Sequence, residues 1–116
     1  MATVLVADDQ PAVRSLVTML LRSAGHRVVA AANGAEAISL YRYSPDRYDV
    51  VLTDLTMPVM GGVELVKLVR QTRPEAKVIC MSGYADDALP EGVEFLAKPF
   101  EPSELVACVD KVLQQC

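Results

Sequence analysis

The sequence contains no apolar run long enough to cross a membrane, which takes about 20 such residues in a helix. Charged side chains interrupt every apolar stretch before that length is reached. The first strand-like run begins almost at residue 1, without the basic segment and small-residue cleavage site of a signal peptide. These two absences predict a cytoplasmic protein that does not associate with membranes.

Paired cysteines and an excess of positive charge are also lacking. The 3 cysteines are odd in number and do not have the spacing of a metal site, so we expect Cys80 and Cys108 to be inert packing residues. The formal net charge of the chain is −4. Because the phosphate backbone attracts positively charged proteins, this balance predicts that the chain contacts no nucleic acid.

What the chain does contain is a repeated alternation between short apolar runs and longer patterns of helical period. Residues 4–7 are typical of a strand, and residues 13–21 repeat apolar side chains at i, i+3, i+4, i+7 and i+8, as a helix does. Pro11 suits the first turn of that helix. With 116 residues, 52% of them apolar, and no low-complexity segment, the chain is predicted to form one domain over residues 1–116.

The same alternation continues along the rest of the chain. Predicted strands cover residues 27–31, 49–53, 77–81 and 93–97, and predicted helices begin near Asn33, Gly62 and Glu101. The first, third and fourth strands are continuously apolar, which is typical of parallel strands covered by helices on both faces. The sequence therefore predicts a doubly wound α/β fold.

One interval departs from this regular pattern. Only ten residues, 83–92, separate the fourth predicted strand from the fifth, and Pro90 is among them. At 1.5 Å per residue such a segment holds about two helical turns at most. We therefore expect the helix between these strands to be shortened or absent.

Polar side chains follow four of the predicted strands: Asp8 and Asp9, Asp54, Ser82, and Lys98. Because ligands of open α/β sheets bind at the carboxyl ends of the strands, we expect these side chains to gather at one functional edge. Each has an ordinary explanation when taken alone, since a strand-end aspartate often caps a helix, a serine belongs to turns and a lysine to the surface. Their coincidence at four strand ends favours a site.

Three neighbouring carboxylates need compensation, since two unit charges about 4 Å apart repel by roughly 4 kcal/mol at an effective dielectric constant near 20. Either one carboxylate takes up a proton or a cation lies between them. An all-oxygen ligand set favours Mg²⁺, with Mn²⁺ or Ca²⁺ as alternatives. Because Mg²⁺ is commonly shared with phosphate groups, the cluster predicts phosphate chemistry.

Asp54 is the candidate nucleophile, because a carboxylate can itself form an aspartyl-phosphate. It stands alone on the central strand, and we expect the flexible residues 60–62 to leave its approach uncrowded. Lys98 and Ser82 would then neutralise or hydrogen-bond the phosphoryl oxygens.

Over its whole length the chain resembles the receiver domain of two-component response regulators, including the chemotaxis-regulator type. The motifs that carry the resemblance are VLVADDQ with Asp8 and Asp9, LTDLTMPVMGG with Asp54, MSGYA with Ser82, and FLAKPF with Lys98. It implies a flavodoxin-like, five-stranded sheet with strand order 2-1-3-4-5. It also implies a switch that catalyses only its own phosphorylation and dephosphorylation, with a histidine kinase or phosphotransfer domain as donor and an effector that the sequence does not name.

The resemblance assigns roles to individual residues. Asp9, Asp54 and the backbone carbonyl of Thr56 would bind Mg²⁺, with Asp8 acting through water, and Ser82 and Lys98 would bind the phosphoryl oxygens. Phe95 falls at the family's switch aromatic; the alternative is an ordinary core aromatic on an edge strand, and the two are compatible.

Three further features follow from the same resemblance. Tyr84 falls at a position that tunes the lifetime of the acyl phosphate, and the Lys98–Pro99 bond falls where the family usually has a cis peptide. The wording MSGYADD is similar to receivers attached to hybrid sensor kinases, which suggests a chain that was cut from a larger protein or that relays phosphate onward. His26, outside these motifs, follows a glycine in a turn and is expected at the surface.

Two other functions compete with the receiver interpretation. A Mg²⁺-dependent phosphatase of the haloacid-dehalogenase kind also uses a nucleophilic aspartate, but it requires a second acid two residues later, where this chain has Thr56. A receiver-like binding module that is not phosphorylated would be expected to lack one of the acids or the lysine, and all of them are present.

Overall fold

The computed structural model describes residues 2–57, 59–83 and 89–114. Five strands are present there: β1 (Thr3–Ala7), β2 (Arg27–Ala31), β3 (Val50–Asp54), β4 (Val78–Ser82) and β5 (Glu94–Ala97). The α-helices of the same ranges are α1 (Pro11–Ser23), α2 (Gly34–Tyr43), α3 (Gly62–Thr72) and α4 (Pro102–Gln114). Among these residues no helix is long and apolar enough to span a membrane.

The five strands form one parallel sheet in the order β2-β1-β3-β4-β5, which confirms the predicted doubly wound fold and its strand order. The register pairs Ala7 with Thr53, Asp54 with Met81 and Ser82 with Ala97. The ladder continues one residue further, because the Lys98 N–H donates to the Ser82 carbonyl at 2.9 Å. The carboxyl ends of β1, β3, β4 and β5 therefore meet at one edge.

Each face of the sheet is covered by a pair of helices. On one face α2 and α3 bury a cluster that includes Leu5, Val51 and Leu65. On the other face α1 and α4 bury a second cluster that includes Val6, Leu52 and Leu105. Neighbouring residues of β1 and β3 point to opposite faces, so these strands are apolar throughout, as the sequence predicted.

The start of α2 is fixed by the cap that the sequence predicts. The Asn33 side chain accepts a hydrogen bond from the Glu36 N–H at 2.9 Å. The Glu36 carboxylate in turn accepts from the Ala32 N–H at 2.9 Å, one residue before the usual partner of a capping box. These bonds satisfy two backbone donors and fix the turn between β2 and α2.

The prediction of a shortened or absent helix between β4 and β5 concerns residues 83–92, which the structure describes only in part. Residues 83 and 89–93 are not helical, and residues 84–88 lie outside the described ranges. The predicted role of Tyr84 in phosphate lifetime therefore falls outside the described residues as well.

Cys80 and Cys108 agree with their predicted role as packing residues. Cys80 is fully buried on β4, and Cys108 of α4 is partly buried against the cluster on the opposite face. Burial raises the pKa of both thiols to about 11. At neutral pH both therefore remain protonated and unreactive.

His26 is not at the surface, and the prediction that placed it there is wrong. The residue is only 9% exposed. Its Nδ1 atom accepts a hydrogen bond from the Ala2 N–H at 3.2 Å, and its Nε2 atom lies 3.8 Å from a carboxylate oxygen of Asp110 on α4. The turn after α1 carries His26 between the start of β1 and the last helix, a long-range arrangement that the local turn pattern does not reveal.

Candidate functional site

Three aspartates meet at the carboxyl edge of the sheet. Asp8 and Asp9 follow β1, and Asp54 is the last residue of β3. Each offers one carboxylate oxygen, and these oxygens all lie within 4.8 Å of one another. The parallel topology thus brings together the carboxylates that the sequence predicted to gather, although their roles stay predictions.

Asp8 is completely buried and is held at both carboxylate oxygens. Oδ1 accepts from the Gln10 N–H at 2.9 Å, and Oδ2 accepts from the Lys98 ammonium at 3.2 Å. Asp9, next in the chain, is only partly buried. The two neighbours therefore differ: Asp8 is fixed within the protein, whereas Asp9 is open to a ligand.

The Asp54 carboxylate is oriented by two donors. Its Oδ1 atom accepts a hydrogen bond from the Thr56 N–H at 3.3 Å, and its Oδ2 atom accepts one from the Lys98 ammonium at 3.1 Å. The side chain retains 11% of its exposure. Both oxygens of this carboxylate are thus hydrogen-bonded, and a small part of the side chain remains accessible to solvent, as a nucleophile requires.

Lys98 reaches this cluster from the residue after β5, and the Lys98–Pro99 peptide is cis, as the resemblance implied. Burial alone lowers the pKa of the Lys98 ammonium. Hydrogen bonds and attraction to Asp54 and Asp8 outweigh that effect, so the pKa lies above its ordinary value. Lys98 is therefore a permanent cation between two carboxylates at neutral pH.

The remaining predicted residues lie on or just after β3, β4 and β5. Ser82 ends β4 and is 3% exposed, and Thr56 is exposed beyond β3. Phe95 is partly buried on β5, beside Cys80 in the register. The switch role of Ser82 and Phe95 and the metal contact of the Thr56 carbonyl stay predictions.

Gly62 contributes to the site in a different way from the one predicted for residues 60–62. It is buried at the start of α3, and its N–H donates to the Leu55 carbonyl at 3.0 Å. A Cβ atom on Gly62 would overlap the Asp54 carbonyl oxygen and lie 2.8 Å from the Leu55 Cα. The glycine therefore permits close packing behind Asp54, rather than flexibility in front of it.

Arg14 is a residue that the sequence reasoning missed. It projects from α1, and its Nη1 atom donates a hydrogen bond to the Asp8 carbonyl oxygen at 2.8 Å. The sequence does not predict this contact, because Arg14 occupies an ordinary polar position of a predicted amphipathic helix. Only the turn between β1 and α1 brings the guanidinium back over residue 8.

The donor set fits a divalent cation. Three carboxylates face a single ammonium, so these four side chains together carry a formal charge of −2 at neutral pH. The cluster contains only oxygen ligands, which suits Mg²⁺ and disfavours softer metals. The partly open side chain of Asp9 provides access from solvent.

Comparison with known proteins agrees with this geometry. Residues 4–110 match the family model of the response regulator receiver domain. The chain is 38% identical over 120 residues to the sensor kinase CckA of Brucella abortus, covering 98% of this chain and 13% of that protein. It is 34% identical over 116 residues to the chemotaxis protein CheY of Thermotoga maritima, covering 94% of this chain and 95% of that one.

A solved structure shares the whole fold. The CheX–CheY–BeF3–Mg²⁺ complex of Borrelia burgdorferi superposes with a TM-score of 0.91 at 26% identity, over 98% of this chain and 90% of that one. The chain thus spans a small part of the sensor kinase but nearly all of the CheY proteins. The chain belongs to the response regulator receiver-domain family of two-component signalling.

Proposed function

We propose that this receiver domain is a phosphorylation-dependent switch, in which Asp54 accepts a phosphoryl group from a phospho-histidine in a Mg²⁺-dependent reaction. One observation carries the proposal. The Asp54 side chain is largely buried but keeps 11% exposure, its carboxylate shares the cluster with Asp8 and Asp9, and it accepts a hydrogen bond from Lys98 at 3.1 Å. Nucleophile, cation-binding acids and an electrophilic ammonium are the parts that phosphoryl transfer needs.

In the transfer step an Asp54 oxygen forms a bond to phosphorus while the bond between phosphorus and the donor's imidazole nitrogen breaks. Lys98 is positioned to neutralise charge on the phosphoryl oxygens, and the Thr56 N–H holds the carboxylate in place. Bound Mg²⁺ would supply further charge neutralisation, with Asp9 and Asp54 as ligands and Asp8 acting through water. The same side chains would serve dephosphorylation, in which a water oxygen bonds to phosphorus, the bond between phosphorus and the Asp54 oxygen breaks, and inorganic phosphate leaves.

The signal would leave the site through β4 and β5. A new dianion next to Lys98 offers strong acceptors to the buried hydroxyl of Ser82. Movement of Ser82 changes the space beside β5, where Phe95 is half-buried. Phe95 is therefore the proposed reporter of phosphorylation to the protein surface.

The phosphodonor would dock on α1 beside the cluster. Leu16 and Met19 of this helix are 44% and 57% exposed. The helix therefore has apolar side chains at its surface in addition to those that it packs against the sheet. A groove of about 330 Å³ joins Leu16 to Lys98, Pro99 and Phe100. A histidine kinase or phosphotransfer domain with an apolar face would bring its phospho-histidine to Asp54 from this side.

The proposed reaction is stoichiometric, so the domain would not act as a turnover enzyme. A haloacid-dehalogenase-type phosphatase needs a general acid where this chain has Thr56, whose side chain has no carboxyl group to donate a proton. A module that only binds other proteins would have no use for the buried Lys98–Asp8–Asp54 cluster.

Beryllofluoride titration tests the proposal, because this anion mimics a phosphoryl group on a carboxylate. With Mg²⁺ present, we expect the wild-type protein to bind one equivalent of beryllofluoride, as measured by fluorine NMR. Binding should also shift the amide NMR signals of residues in β4 and β5. Asp54→Asn should abolish binding. Asp46→Asn is the matched control, since the Asp46 side chain is 99% exposed and lies outside the cluster.

The outcomes separate the three functions. Binding that requires both Mg²⁺ and Asp54 supports the switch. Continuous hydrolysis of a phosphomonoester by the wild-type protein would favour the phosphatase instead. The absence of any response to beryllofluoride would favour a module that is not phosphorylated.

A further inference from the structure

We propose that Arg14 is a positioning residue for the Mg²⁺ site, which sets the direction of the Asp9 carboxylate by holding the peptide group between Asp8 and Asp9. The inference rests on the proposed function, since it concerns the same cation site. Arg14 Nη1 donates to the Asp8 carbonyl oxygen at 2.8 Å, and Arg14 is itself half-buried on α1.

Asp8 is held from several directions. Its N–H donates to the Ala31 carbonyl at 3.2 Å, and its carboxylate oxygens accept from the Gln10 N–H and from Lys98. The Arg14 guanidinium adds the bond to the carbonyl. Every polar group of Asp8 is therefore engaged within the protein.

Asp9 has no comparable support for its side chain. Within residues 2–57, 59–83 and 89–114, no group donates a hydrogen bond to the Asp9 carboxylate. Its direction is consequently set by its backbone. Because a peptide unit is planar, the Asp8 carbonyl and the Asp9 N–H rotate together, and a guanidinium that fixes the carbonyl also fixes the position of Asp9.

Arg14 could influence the cation in two opposite ways. As a positive charge near the carboxylates, it would repel Mg²⁺, and its removal would tighten binding. As a positioning group, it pre-organises a ligand, and its removal would weaken binding. The direction of the change in Mg²⁺ affinity therefore distinguishes the two roles.

The test compares Arg14→Lys and Arg14→Met with the same substitutions at Arg22. Arg22 is a matched control, because it lies two turns further along α1 and its Nη2 atom also donates to a strand carbonyl, that of Val28, at 3.3 Å. The Mg²⁺ dissociation constant of each folded protein is measured by calorimetry and by NMR titration. The free energy of unfolding without Mg²⁺ is measured separately by urea denaturation.

We expect both Arg14 variants to bind Mg²⁺ about tenfold more weakly, as is common when a partner of a metal ligand is removed. The Arg22 variants should lose stability without a change in Mg²⁺ affinity. Wild-type affinity in Arg14→Lys, or tighter binding in Arg14→Met, would overturn the inference while leaving the proposed function intact. Failure of the wild-type protein to bind Mg²⁺ would instead overturn both.

Discussion

Gly62 packs directly against the main chain of Asp54. A Cβ atom on Gly62 would overlap the Asp54 carbonyl oxygen and lie 2.8 Å from the Leu55 Cα, so the backbone behind the proposed phosphoacceptor has no room for a methyl group. The position of the Asp54 main chain thus depends on Gly62, a residue without a side chain.

Replacing Gly62 with alanine should therefore disturb both stability and the site. We expect Gly62→Ala to lower the free energy of unfolding by about 3 kcal/mol, because neither backbone neighbour can move away at low cost. Gly83→Ala is the control, since a Cβ atom there meets nothing within 4 Å. Urea denaturation of both variants checks the expectation, and equal stabilities would contradict it.

Val59, five residues after Asp54 in the sequence, has a strained backbone conformation. Its φ angle is 72°, in the left-handed region that β-branched residues seldom adopt, and its side chain is 83% exposed. Because no packing is lost, Val59→Asn should raise the free energy of unfolding by about 1 kcal/mol. The control is Val63→Asn, at a helical position of α3, which should not raise the free energy of unfolding. Urea denaturation measures both variants, and a lower free energy of unfolding for Val59→Asn would contradict the assigned backbone strain.

Cys80 should make the protein sensitive to alkaline pH. Burial raises the pKa of its thiol from 9.0 to about 11, so between these values the unfolded chain loses a proton that the folded protein keeps. The stabilising contribution is complete below pH 9 and falls as the pH rises, by about 2 kcal/mol near pH 11.

Comparison with Cys80→Ala isolates this contribution, because every other titrating group is common to both proteins. We expect the variant to be less stable than the wild type at pH 8 and the difference to shrink as the pH rises to 10.5. Urea denaturation under reducing conditions measures both stabilities. A difference that is constant over this pH range would contradict the assigned thiol pKa.

Lys98 lies against Asp8 and Asp54, so it would compete with a bound cation for these carboxylates. Lys98→Met should therefore tighten Mg²⁺ binding about fivefold, since removal of a nearby positive charge relieves the repulsion of a dication. The same variant should bind beryllofluoride more weakly, because the ammonium beside Asp54 is lost. Parallel titrations with the two ligands check these opposite signs; a loss of both affinities would indicate a damaged site.

Much of the fold could be predicted because its signals are local. Asn33 caps α2 as expected, and the apolar runs of β1, β3 and β4 correspond to the central strands of the sheet. The predicted bounds of β3 and β4 were wrong by one residue, because both strands begin and end one residue later than predicted. Asp54 belongs to β3 because its register partner is Met81, and no property of residues 49–53 alone specifies that pairing.

The gathering of the aspartates could be predicted as well, because parallel strands end at a common edge. Contacts between distant segments could not. His26 is buried by contacts with Ala2 and Asp110, and Gly62 is required by a backbone approach that only the folded chain contains. The contact between Arg14 and the Asp8 carbonyl depends on the geometry of the turn between β1 and α1, which the sequence spacing of the two residues does not predict.

The central claim is that Asp54 accepts a phosphoryl group with the help of Mg²⁺. Intact-mass spectrometry after incubation with acetyl phosphate tests it most directly. The account predicts a gain of one phosphoryl group by the wild-type protein when Mg²⁺ is present, and no gain with a chelator or in Asp54→Asn. Phosphorylation that persists in Asp54→Asn, or a wild-type protein that gains no mass with Mg²⁺, would contradict it.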